Sequence, residues 1–264
     1  MTNKYTSFAS DTWNISPLDQ FEILDLFKLE AIAFFNLNIS ITNMALYLSL
    51  SVVLSVSLIM LSTSEEKIIP DNWCLATESL YHTIHSIVTG QINGKTGQIY
   101  FPFIYALFLF ILANNLMGMI PYGFATTSHF ILTFFISFTV VIGTTILGFQ
   151  KHKLEFFALF VPAGCPLGLL ALLVLIEFIS YLARNVSLGL RLAANIVAGH
   201  LLLNILSSFT YNIMSSGVMF FFVSMLPLAF IIAFSGLELV IAFIQAQVFV
   251  VLTASYINDS LNLH

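Results

Sequence analysis

The ninety-one residues from Leu167 to Ile257 hold only five acidic, basic or imidazole side chains: Glu177, Arg184, Arg191, His200 and Glu238. Such a stretch cannot cover the outside of a water-soluble globule, and the rest of the chain is little different. Of 264 residues, 59% are hydrophobic and 8% charged, with a mean hydropathy of +0.98. Soluble domains carry about 25% charged residues. The apolar runs are long and unbroken, whereas a membrane β-barrel shows short alternating segments between turns. The expected fold is therefore an all-α integral membrane protein. A net charge of −5 gives no reason to expect a nucleic-acid partner. Cys74 and Cys165 match no metal or redox spacing and read as packed thiols. No glycine-rich nucleotide loop occurs, so neither a cofactor nor a metal site is expected.

Ile41 to Ser62 is an uncharged run of 22 residues, long enough to span a hydrocarbon core of about 30 Å. The polar stretch Thr63–Gln98 follows. Within 73–90, Trp73, Ala76, Leu80, Ile84, Ile87 and Val88 recur at helical spacing, interleaved with Glu78, His82, His85 and Ser86. This predicts an amphipathic helix at the membrane surface. "GQINGKTG" carries loop signals. Residues 101–120 form a second span, closed by Pro121, and Asn114 and Asn115 inside it call for hydrogen bonds to a neighbouring helix. Residues 126–149 form a third. "KHK" at Lys151–Lys153 then marks the cytoplasmic or matrix side, which puts the N-terminus on the other side. The first fifteen residues lack a secretory or transit signature and read, on composition, as a polar tail.

Two overlong apolar stretches complete the chain. Residues 167–206 contain no proline and would measure about 60 Å as one helix, twice the bilayer core. That stretch must tilt steeply, bend or break. Residues 214–257 are similar, with Pro227 as an expected kink. Seven helical residues fall about 20° short of two turns. Glu177, Arg184 and Arg191 thus form one stripe, with Ser187 and Asn195 beside Arg191, while His200 points to the opposite face. Glu238 and Gln245 share a face of the last helix. Ionisable groups at membrane depth cost at least about 2.5–3.5 kcal/mol each on the insertion scale and default to function. Glu177 and Arg184 fit a structural ion pair as well as a functional one. A permanent cation at Arg191, set apart from two groups that exchange protons, points to a proton path.

"SLGLRLAANIVAGHLLLNIL" and "GLELVIAFIQAQVFVVLTASYIND" resemble the two signature helices of subunit a of F-type ATP synthase, in its mitochondrial, fungal-like form. The likeness extends to "SPLDQFEI" and to "FPFIYALFLFILANNLMGMIPYGFATTSHF", covering nearly the whole chain from Ser16. The resemblance implies a single membrane domain over 16–264, preceded by a cleaved leader at 1–15, in the mitochondrial inner membrane. The two long helices would lie almost in the membrane plane around a rotating ring of c subunits, the main partner beside other subunits of the complex and the lipid. Arg191 would be the essential arginine facing the ring, and His200 and Glu238 would pair in the proton-uptake half-channel. Asp259 would stand at that channel's outer mouth, while Glu177, Asn195 and Gln245 would flank the arginine and the matrix-side exit. Arg184, Asn114 and Asn115 would be structural or secondary. The alternatives are a secondary proton-coupled transporter, for which no repeated half is visible, and a structural subunit of a respiratory complex, which would not need a cation stripe facing a partner.

Overall fold

Long uncharged runs in this chain become helices, because only internal hydrogen bonding satisfies a backbone removed from water. The computed structural model describes residues 18–30, 38–63, 71–92, 94–120, 123–161 and 167–262. A short 3₁₀ turn at Asp19–Phe21 leads into strand β1 (Asp25–Glu30), which pairs antiparallel with β2 (Asn38–Thr42). Helices α1 (Asn43–Thr63), α2 (Asn72–Gln91) and α3 (Gly94–Gly118) follow. After a 3₁₀ turn at Thr126–Ser128 come α4 (Phe130–His152) and a longer 3₁₀ segment, Lys153–Phe160. The chain finishes with α5 (Leu167–Ser215), the short α6 (Val218–Val223) and α7 (Met225–Leu261). Among the described residues, five helical stretches are long and apolar enough to cross a membrane: Asn43–Ser62, Gly97–Gly118, Phe130–His152, Leu172–Ser215 and Met219–Leu261.

The structure departs from the sequence reading at four places. The fold is that of an all-α membrane protein with one short added hairpin, and Ile41 and Thr42 end its second strand rather than open the first span. α3 begins inside the glycine-rich stretch expected to be loop. Gly97 permits this: a β-carbon there would stand 3.3 Å from Val88 Cγ1, so its absence lets α3 turn back closely against α2. Nothing stops α5 until Gly217, whose φ of 149° suits glycine alone, and the helix reaches 49 residues, about 74 Å. Finally, Pro227 is no mid-helix kink. The break lies at Ser224, and Pro227 occupies the first turn of α7, where a missing N–H costs nothing. The leader at 1–15, Pro121, Pro162, Pro166 and Cys165 lie outside the described residues, whereas Cys74 is half-buried and free.

α3, α4 and α5 each pack on α7, α4 also packs on α5, and α2 covers α3 and α7. Along α7, Ala242, Ala246, Val250 and Ala254 recur every four residues and are fully buried. Small side chains at that spacing let neighbouring helices approach closely, the usual driving contact in lipid. Ile104, Phe108 and Ile111 of α3, Val140 of α4 and Leu188, Leu192 and Ile196 of α5 complete the interior. The buried Ser137 hydroxyl of α4 donates to the Asn185 backbone carbonyl at 2.6 Å and also meets its side-chain oxygen. Gly189, one turn on, has no β-carbon to clash with Phe134 or the Thr133 carbonyl. Together these contacts set the rotation of α5 about its own axis, and so the direction in which its charged residues point.

Candidate functional site

α5 and α7 meet where Gly199 faces Glu238. A β-carbon on Gly199 would stand 2.5 Å from Glu238 Oε1, so the glycine is a notch that admits the carboxyl group. Beside it, His200 Nε2 lies 3.8 Å from Glu238 Oε1, too far for a hydrogen bond. The side chains are 18% and 6% exposed, and neither His200 Nε2 nor either Glu238 oxygen has a hydrogen-bond partner. Buried polar groups are normally satisfied. Two exceptions lie side by side here, on groups whose side chains can both bind and release a proton.

Glu238 borders two cavities. The larger, about 790 Å³, is lined by Gln20, Glu22 and Leu24 of the N-terminal segment, Asn43 and Tyr47 of α1, and Asn204, Ser207, Ser235, His200 and Glu238 further in. The smaller, about 230 Å³, lies between α5 and α7 and is bordered by Asn195, Gly199 and Glu238 among apolar side chains. Asn195 is thus on the far side of Glu238 from His200, one turn from Arg191. Gln245 is half-buried two turns beyond Glu238 and lines neither cavity.

Arg191 is exposed on the opposite face of α5, in an open apolar concavity formed with Ile179, Ala183, Val186, Ser187, Leu190 and Ala194. Among the described residues no carboxylate lies within ion-pair distance of it. Its neighbour in the stripe, Arg184, has two partners: Glu177 at 3.9 Å and Asp259 at 3.8 Å, all three half-exposed. Asp259 itself lines neither cavity bordered by Glu238. It lies 21 residues beyond Glu238 along α7, about 32 Å away. It also shares the end of the molecule where Lys151 Nζ and His152 Nε2 meet the Leu261 carbonyl at 2.8 and 3.0 Å. There the basic end of α4 caps the C-terminus of α7.

Asn115 bonds a neighbouring helix as expected, whereas Asn114 ties its own helix to the 3₁₀ turn at Thr126. Asn114 donates to the Phe110 carbonyl at 2.8 Å and accepts from Thr126 Oγ1 at 2.9 Å, while Asn115 donates to the Ala242 carbonyl of α7 at 3.2 Å. Among the described residues no cluster of three His, Cys, Asp or Glu side chains is arranged to hold a metal ion. The sequence reading missed Gly199, Asn204, Ser207, Ser235 and the Ser137–Asn185 contact. Three of these carried a signal: Asn204 and Ser207 follow His200 at four and seven residues, and Ser235 precedes Glu238 by three, each on the same helical face.

A family model described as ATP synthase A chain matches residues 44–258, from the start of α1 to the last turn of α7. The chain belongs to this ATP synthase A-chain family. Its relatives include ATP synthase subunit a of Emericella nidulans, 68% identical over 250 residues, covering 95% of this chain and 97% of the relative. Subunit a of Podospora anserina is 68% identical over 252 residues, with 96% of both chains covered. That of Neurospora crassa is 66% identical over 250 residues, with 95% of both covered. The span matched to the A-chain family contains Glu177, Arg184, Arg191, Asn195, His200, Glu238 and Gln245, while Asp259 lies one residue beyond it.

Proposed function

We propose that this chain is the proton-channel stator subunit in the membrane sector of a mitochondrial ATP synthase, where it turns a ring of c subunits and leaves ATP chemistry to other subunits. The observation that carries the reading is the placement of Arg191. It is a permanent cation, exposed on the outer face of α5 and without a carboxylate among the described residues, between two separate polar sites. Along α5 it stands nine residues, about 14 Å, from His200 and seven, about 11 Å, from Arg184.

In this reading the large cavity is the uptake half-channel. A proton reaches His200 and Glu238, passes through the smaller cleft by Asn195 and neutralises a carboxyl group on the ring, which can then face lipid. At the other end Glu177, Arg184 and Asp259 form the polar release side, with Gln245 on the route. There the ring carboxyl group loses its proton and meets Arg191. A guanidinium stays charged, so it favours the ionised ring site and repels protons that would cross directly between the half-channels. Each elementary charge crossing is worth about 2.3 kcal/mol per 100 mV. A helix about 74 Å long cannot stand upright in a core of about 30 Å, so α5 and α7 lie steeply tilted around the ring, which is the occupant of the Arg191 concavity. The N-terminus then faces the intermembrane space and Lys151–Lys153 the matrix, across the inner membrane. Residues 1–15 are removed as a leader, which the intact mass of the purified subunit tests.

The double variant Glu238→Gln, His200→Ala tests the uptake assignment. ATP-driven proton pumping should fall by about 100-fold or more in an assembled complex, the low end of what a proton-transfer group contributes. Full pumping by the double variant would remove both residues from the path.

A further inference from the structure

We infer that the N-terminal segment Leu18–Leu24 is a working wall of the uptake cavity, with Glu22 as its outer proton-collecting carboxylate and Phe21 as a positioning residue for His200. The inference rests on the uptake reading of His200 and Glu238. Three observations carry it. Gln20, Glu22 and Leu24 line the same cavity of about 790 Å³ that ends at His200 and Glu238. The Phe21 ring meets the His200 imidazole in a T-shaped contact, with centroids 6.1 Å apart and planes at 83°. Asn43, the first residue of α1, clamps the segment: its Oδ1 accepts from Leu24 N at 3.3 Å, its Nδ2 donates to the Glu22 carbonyl at 3.2 Å, and its own N–H donates to the Leu24 carbonyl at 3.0 Å.

The segment is thus tied at one point and applied to the His200 imidazole at another. Among the described residues that line the cavity, Glu22 is the one acid besides Glu238. The titratable groups facing the cavity are Glu22 from the segment, Tyr47 from α1, His200 from α5 and Glu238 from α7. His129, before α4, stands behind Phe124, which lines the cavity and stacks on it at 5.3 Å. Glu22 is exposed and so open to bulk water. Asn43, Asn204, Ser207 and Ser235 then offer hydrogen-bonding steps toward the buried pair. An edge-on phenyl ring restricts rotation of the imidazole and keeps Nε2 turned toward Glu238.

A cleft lined by one sign of charge raises the local concentration of the opposite ion about 10–10³-fold. Removing the outermost charge should cost about the lower figure. The assembled complex, reconstituted in vesicles and driven by an imposed potential, is assayed for ATP synthesis while the pH of the uptake compartment is varied. Glu22→Gln should raise the half-saturating proton concentration about tenfold, one pH unit toward acid, and Glu22→Asp should restore the profile. Phe21→Ala should lower the rate at every pH, with Phe21→Tyr, which keeps the ring, recovering it. An unshifted profile in Glu22→Gln overturns the collecting role, as does an equal shift in Glu22→Asp, which would make packing and not charge the cause. The double variant of His200 and Glu238 serves as reference. If it too leaves synthesis unaffected, the uptake reading itself has failed; if it abolishes synthesis while Glu22→Gln changes nothing, only the present inference has.

Discussion

Replacing Gly199 by alanine puts a methyl group 2.5 Å from Glu238 Oε1, 2.8 Å from Cδ and 3.2 Å from Cγ. Ordinary contact starts near 3.4 Å, so the carboxyl group must retreat by about 1 Å. The obstructed atoms belong to the end of one side chain and not to backbone, so the strain stays at or below the 1–3 kcal/mol typical of overpacking, and the complex should assemble. Function is more exposed. Proton transfer depends on where the carboxyl group sits relative to His200, now 3.8 Å away, and a misplacement of about 1 Å can cost about 100-fold in rate. ATP-driven proton pumping in vesicles should therefore drop by roughly 10–100-fold in Gly199→Ala. Gly143→Ala on α4, where nothing lies within 4 Å of the added carbon, should pump normally. Normal pumping by an assembled Gly199→Ala complex would refute the notch and the steric reasoning behind it.

Other expectations follow from packing and charge. Ser137→Ala leaves the buried Asn185 side-chain oxygen without its partner, costing about 1–3 kcal/mol, visible as a lower thermal midpoint of the assembled complex. Because the same contact orients α5, coupling should weaken with it, and a variant as stable and as coupled as wild type would count against that role. Burial pushes the His129 imidazole below its ordinary value. Its proton is then bound more readily in the unfolded state, so its contribution to stability is full above about pH 6.5 and is lost as pH falls below it. Thermal midpoints measured across that range should flatten in His129→Gln.

Much of the architecture was legible because bilayer thickness imposes a length. The run after Ile41 could be placed as a helix of spanning length from its uncharged stretch alone, and the helix at 73–90 from its alternating faces. The hairpin was hidden by that same logic. Asn38–Thr42 alternates polar and apolar residues as a strand does, but its apolar members blend into the adjoining span. The Gly94 start of α3 was unreadable because glycine signals a turn unless a neighbouring helix needs the space, as it does at Gly97, and that neighbour is known only from the tertiary structure. For the site, spacing along one helix correctly separates the faces of Arg191 and His200. It is silent on which residue of α7 meets His200, since a contact between elements 38 residues apart has no local signature. Asp259 shows the opposite risk. Resemblance implies a place at the uptake mouth, whereas helix length sets it about 32 Å from Glu238, beside Arg184.

The most direct test of the divider role is made on Arg191 itself, by measuring ATP synthesis and passive proton flux in vesicles carrying assembled Arg191→Ala complexes, with Arg184→Ala in parallel. Arg184 shares its charge with Glu177 and Asp259 in half-exposed pairs, which contribute little each, so its loss should be the milder of the two. Loss of the Arg191 cation should lower synthesis by about 100-fold or more, as removal of a preorganised charge does, and raise passive flux between the half-channels. Coupled synthesis near the wild-type rate in Arg191→Ala would contradict the role of Arg191 as the barrier between two proton paths.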